Sequence, residues 1–129
     1  MNDGQNRNEC EWGAVEYVDG ICYGTFHNVK LTLEGAKEIV SVRIDASKST
    51  QSVLIADVTN LASVTKDARN YFSSEEGSRL LNASAIVVGS EFTSTMANFF
   101  IKVNFKKPLI PIKMFSKIED AEKWIKEYR

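Results

Sequence analysis

Two short apolar runs set the architecture of this chain, because neither shows the polar alternation of a strand with one wet face. The first is SVLIADV, residues 52–58, and the second is ASAIVVGS, residues 83–90. A strand that is covered on both faces reads as a continuous apolar run. We therefore predict that both runs are central strands of a parallel sheet, with helices packed above and below.

An antiparallel hairpin is predicted before the first of these strands. Residues 11–18 alternate between two faces, and ICYGTFH, residues 21–27, returns along them. The intervening Asp19 and Gly20 are the residue types that accept the positive φ angles of a two-residue turn. The chain should therefore begin its fold with two paired strands.

Four helices are predicted from apolar residues at helical spacing. The first follows Thr32 as N-cap and places Arg43 at the rim of its apolar face; the second starts near Thr65 and is extended by a Ser73–Glu76 capping box. The third is the phenylalanine-rich segment 93–105, and the last follows Ser116. Before that last helix, Pro111 restricts the strand IKMF to a sheet edge. The order is ββαβαβαβα, which predicts a mostly parallel α/β sheet.

Length and composition predict one domain with a short tail. A chain of 129 residues, 43% of them hydrophobic, can bury one core without metals or disulfides. Residues 1–10 are polar and are predicted to be a flexible tail, which leaves residues 11–129 for the domain. No apolar run is long enough to span a membrane and no signal segment precedes the fold, so we expect a cytoplasmic protein without membrane insertion and with reduced cysteines.

Several function classes lack the residues that they need. The chain has one histidine, His27, and no spaced thiolate pair, so no metal or other cofactor is expected. Residues 102–129 contain eight basic and four acidic residues. This excess of positive charge is too small to predict nucleic-acid binding. Nucleotide-binding glycine loops and nucleophile elbows are also missing from the sequence. We therefore expect a protein that is not an enzyme.

The element order and three quoted segments resemble a known superfamily. VLIADVTN as the first buried strand, ASAIVVGS as the second, and the closing IPIKMFSKIEDAEKWI are similar to STAS domains of the SpoIIAA-like superfold. ARNYFSSEEGSRLLNASAIVV and NFFIKVNF look closer still to an uncharacterised bacterial STAS/SEC14-like single-domain family. The resemblance implies a SpoIIAA-like sheet with an N-terminal hairpin and about four helices. Anti-sigma antagonists of this group carry a phosphorylated Asp-Ser turn, which is replaced here by Asp57-Val58-Thr59-Asn60.

Polar side chains follow both central strands and define a candidate binding site. Parallel strands place their carboxyl ends, and therefore their ligands, at one sheet edge. The candidate residues are Asp57, Thr59, Asn60, Ser63, Thr65, Ser90 and Thr93. Asp57 can equally serve the turn that leaves its strand, and Ser63 or Thr65 can either cap the next helix or hold an anion there.

A second candidate surface lies on the phenylalanine-rich helix. Its apolar residues occupy more than one face, so some are expected to meet a partner, a ligand or a second copy of the chain. The residues concerned are Phe99, Phe100, Ile101 and Phe105. Two functions remain open: a non-catalytic regulatory module that binds a protein, as the STAS resemblance implies, or a carrier of a small apolar or lipid-like ligand, as its SEC14-like side implies.

Overall fold

In the part of the chain that the structure describes, the fold is a six-stranded sheet with helices on both faces. A computed structural model of the protein describes residues 7–89 and 109–129. The strands are β1 (Arg7–Cys10), β2 (Gly13–Val18), β3 (Ile21–Phe26), β4 (Lys30–Leu31), β5 (Ser52–Asp57), β6 (Ser63–Val64), β7 (Leu81–Val87) and β8 (Ile112–Phe115). The helices are α1 (Leu33–Ala46), α2 (Lys66–Phe72) and α3 (Ile118–Ile125), and a 3-10 turn (Lys126–Tyr128) follows α3.

The strand order of the large sheet is β1-β2-β3-β5-β7-β8. β1, β2 and β3 pair antiparallel, whereas β3, β5, β7 and β8 pair parallel. The predicted parallel character therefore holds from β3 onward and not for the whole sheet. Both apolar runs form central strands as predicted, and β8 lies at the edge, where its neighbour Pro111 interrupts no ladder. β4 and β6 form a separate two-stranded parallel sheet.

The predicted hairpin is confirmed, and it gains a third strand. Asp19 and Gly20 have φ angles of 54° and 84° between β2 and β3. The sequence assigned residues 1–10 to a tail, but Arg7–Cys10 pairs with β2 as the edge strand β1. Its side chains alternate between exposed and half-buried positions, because only one face of this edge strand meets α1. β1 contains one apolar residue, Cys10, and one such residue is too weak a signal to predict a strand.

The two faces of the sheet bury two different cores. On one face, alternate residues of the central strands pack against Ala121 and Ile125 of α3. These strand residues include Val53, Ile55 and Ala85. On the other face, the intervening strand residues pack against α1 and α2. Successive strand side chains point to opposite faces, so the continuous apolar run 52–58 supplies both cores.

The described residues contain three α-helices, and the fourth predicted helix, 93–105, lies outside them. Thr32 caps α1 through a 3.3 Å bond from the Gly35 backbone N–H, as predicted. Residues 73–80 form turns and not the predicted helical extension, because Ser73 ends α2. The last helix, predicted to follow Ser116, begins at Ile118, and Lys117 precedes it without a side-chain cap.

Candidate functional site

The carboxyl ends of β5 and β7 meet at one edge of the sheet, as the sequence predicts. Asp57 is the last residue of β5 and pairs with Val87 of β7. Its Oδ1 accepts a 3.0 Å hydrogen bond from the Thr59 backbone N–H, the arrangement of an Asx turn. Thr59 packs closely on Gly89: a Cβ atom on residue 89 would lie 2.7 Å from the Oγ1 of Thr59. At this edge, called the polar ledge below, the Asp57 carboxylate holds the turn that leaves β5.

The other predicted polar residues that the structure describes take part in a loop contact, a strand pairing and a helix cap. The Asn60 carbonyl accepts a 3.0 Å bond from the Asn28 side chain, and Ser63 lies in β6 beside Lys30. The Thr65 hydroxyl accepts a 3.2 Å bond from the Ala68 N–H as the N-cap of α2. Outside the described residues lie Ser90 and Thr93, together with the predicted interface residues Phe99, Phe100, Ile101 and Phe105.

The loop that carries the polar ledge has a second, apolar side. Thr59 and Asn60 are exposed, whereas Val58 and Leu61 are each 6% exposed. Val58, Leu61 and Val64 line a cavity on the face of the sheet that α1 and α2 cover. The loop between β5 and α2 is thus a wall shared by the ledge and the cavity.

This cavity has a volume of about 120 Å³ and predominantly apolar walls. It extends along the sheet from Leu81, where β7 begins, to Ile86 near its end. Other apolar residues that line it are Val15, Phe26, Leu31, Ile39, Val40, Leu54, Ala56, Phe72, Ile110 and Ile112. An apolar cavity of about 150 Å³ can hold a benzene-sized molecule, so this one has the size for a small apolar group.

Two buried arginines interrupt these apolar walls. Arg43, in the last turn of α1, is 3% exposed, and Arg69 of α2 is 6% exposed. Arg43 Nη2 donates a 3.3 Å bond to the Gly77 carbonyl, and Arg69 Nη1 donates a 2.6 Å bond to the Val64 carbonyl. Arg43 therefore joins α1 to the turn at Gly77, and Arg69 joins α2 to β6, and both of these segments border the cavity.

The charge of Arg43 is not balanced by an acidic residue in the described walls. No aspartate or glutamate is among the described residues that line the cavity, and Nη1 of Arg43 has no hydrogen-bond partner there. Burial lowers the pKa of the Arg43 guanidinium, although an arginine keeps its charge at neutral pH. The cavity thus combines predominantly apolar walls with a buried guanidinium, one of whose nitrogens lacks a partner among the described residues.

The sequence left an apolar-ligand carrier open but did not locate a cavity for the ligand, and it placed Arg43 incorrectly. Arg43 was assigned to the rim of the apolar face of α1, but residues 73–80 fold over it and bury it. Its spacing of four residues from Ile39 put it on that face, and this was the available signal. The turns that cover it carry no apolar periodicity, so their contact with α1 could not be inferred.

Two further findings concern the described ranges, 7–89 and 109–129. They contain no group of three or more metal-ligating side chains placed to hold an ion. None of their helices combines the length and the apolar character that crossing a bilayer needs.

A mostly parallel sheet with an antiparallel start and helices on both faces defines a mixed α/β protein, and comparison with solved structures identifies its type. The chain is similar to an uncharacterised protein of the DUF3478 family with a SpoIIAA-like fold from Shewanella loihica PV-4. The TM-score is 0.53 at 21% sequence identity, covering 88% of this chain and 91% of the other. The predicted SpoIIAA-like fold is thereby confirmed.

The family follows from the sequence match. Residues 15–129 match the model of a domain of unknown function, DUF7793, and the chain belongs to that family. No curated protein matches the chain. The match begins inside β2, so it includes α1, the loop between β5 and α2 and every described residue that lines the cavity.

Proposed function

We propose that this protein is a non-catalytic binding module that holds a small apolar or amphipathic ligand in the cavity between the sheet and α1 with α2. The observation that carries this proposal is the cavity itself, with its apolar walls and its buried arginines. Binding sites for small molecules are usually largely apolar concavities with a few placed polar groups. The cavity has this composition.

A non-catalytic role is supported by what the polar ledge does. A nucleophile needs a positioned base within hydrogen-bond reach. Asp57 and Thr65 instead bind backbone N–H groups of the following turns. His27, which follows the carboxyl end of β3, has its Nε2 3.6 Å from Glu9 Oε2. Within the described residues, the ledge supports turns and a helix start and holds no acid–base pair.

Native mass spectrometry of the purified protein tests the proposal. We expect a fraction of the protein to carry a small molecule that survives gentle ionisation and is released by denaturation. Chromatography of the denatured extract would then give its mass and polarity. Uniformly ligand-free protein that also fails to bind small apolar probes such as hexanol would contradict the proposal.

Substitution of alanine by leucine on either face of the sheet provides a matched test of the cavity. Ala56 lines the cavity, so Ala56→Leu should be tolerated and should expel the bound molecule. Ala85 is fully buried against the α3 side, where extra methylenes cost about 1–3 kcal/mol of stability. Urea denaturation should therefore show a clearly larger loss for Ala85→Leu. Equal losses would mean that the cavity is not available space.

A regulatory contact with a protein partner is a second candidate function. It is favoured by the loop between β5 and α2. In this loop, Thr59 and Asn60 are exposed to solvent, whereas Val58 and Leu61 line the cavity. A ligand that contacts Val58 and Leu61 from inside the cavity would shift the loop and change the surface that Thr59 and Asn60 form. Affinity capture with the wild type and Asn60→Arg tests this: a partner recovered by the wild type alone would support the contact, whereas identical recoveries would remove it.

A further inference from the structure

We infer that the cavity binds a short aliphatic carboxylate, with its head group paired to Arg43 and its tail along the apolar wall. This inference rests on the proposed function and names its ligand class. Arg43 is 3% exposed, and its Nη1 lacks a hydrogen-bond partner among the described residues. A buried cation without a counter-charge is destabilising, and an anionic ligand would remove that penalty.

The neighbours of Arg43 leave the counter-charge to the ligand. The groups that raise its pKa are Cys22 and Tyr71, and both are neutral at physiological pH because burial raises the pKa of each side chain, that of Tyr71 to about 12. Its hydrogen-bond acceptor is the neutral Gly77 carbonyl. Arg79 adds a further positive charge nearby. The exposed Glu76 carboxylate accepts a 2.6 Å bond from the Tyr71 hydroxyl, so the groups that act directly on Arg43 supply no buried negative charge.

The shape of the site favours a carboxylate with a short tail. A guanidinium is a planar fork that matches the two oxygens of a carboxylate. Around it, the cavity offers about 120 Å³ bounded by side chains such as Ile39, Leu54 and Ile86. This space suits a short aliphatic chain and excludes a long acyl chain with a bulky head group. A monoanion also loses less hydration on burial than a doubly charged phosphate ester does.

Calorimetric titration with three probes of one length tests the inference. The probes are hexanoate, hexanol and hexylamine, added to protein that has been refolded from denaturant to remove bound molecules. Because a hydrogen bond to a charged group contributes about 1.5–3 kcal/mol, hexanoate should bind roughly ten- to a hundredfold more tightly than hexanol. Hexylamine should bind more weakly than hexanol, since its charge would face Arg43.

Variants locate the effect. Arg43→Met should bring hexanoate to the affinity of hexanol, whereas Arg79→Met, which removes an exposed charge, should keep the preference. Equal binding of hexanoate and hexanol to the wild type would overturn the inference and leave the proposed function intact. Binding of none of the three probes would overturn both. Because the wild-type comparison does not depend on a variant, the test holds even if Arg43→Met fails to fold.

Discussion

Replacement of Ile55 by alanine should lower the free energy of unfolding by about 2–5 kcal/mol. Ile55 is 1% exposed in the central strand β5 and belongs to the core between the sheet and α3. Its neighbours Ala85 and Ala121 are already small, so they cannot extend to fill the space that the substitution leaves. The expected loss is a large part of the stability of a domain of this size. Chemical denaturation monitored by tryptophan fluorescence measures it.

The control for this prediction is Val18→Ala. Val18 ends β2 and is 47% exposed, so its truncation should change stability by no more than about 0.5 kcal/mol. A loss for Ile55→Ala as small as that for Val18→Ala would mean that β5 is not the centre of the sheet. The assignment of both faces of the parallel strands would then be wrong as well.

The central strands and the hairpin were predictable because their signals are local. The continuous apolar run 52–58 and the Asp19–Gly20 turn each determine their conformation within a few residues, and both lie where the sequence placed them. β1 was not predictable, because an edge strand with one face on α1 needs few apolar residues. The turns of residues 73–80 mimicked a helix start, since Ser73 and Glu76 have capping-box spacing, but Ser74 caps the Gly77 N–H instead.

One part of the candidate site could be predicted from the sequence and another part could not. The convergence of β5 and β7 follows from parallel topology alone, so the position of the polar ledge was predictable from the sequence. The cavity depends on how far α1 and α2 stand from the sheet, and that distance is set by many side chains together. The burial of Arg43 likewise depends on a turn thirty-four residues further along the chain. Long-range packing of this kind leaves no periodic trace in the sequence.

Two explanations of the buried Arg43 predict opposite effects on stability. If the arginine is structural, its bond to the Gly77 carbonyl holds residues 73–80 against α1, and its removal should destabilise the protein. If it is retained for a ligand, the unliganded protein bears an unbalanced buried charge. Replacement of a buried ion pair by apolar residues of similar volume is often neutral or stabilising, by up to about 4 kcal/mol. A buried charge without a partner has no Coulombic attraction to lose, so its replacement should fall on the same side.

Arg43→Met should therefore leave the ligand-free protein at least as stable as the wild type, and we expect a gain of about 1 kcal/mol or more. The methionine side chain can occupy the space of the Arg43 side chain without a charge. The loss of the bond to the Gly77 carbonyl offsets part of the gain in stability. Urea unfolding of ligand-free protein measures the difference. Ile39→Met, one turn earlier on the same helix face and 6% exposed in the wild type, controls for methionine itself and should cost under about 1.5 kcal/mol. A loss above about 2 kcal/mol for Arg43→Met would mean that Arg43 is a structural tie, because its bond to Gly77 would then outweigh the desolvation of its charge.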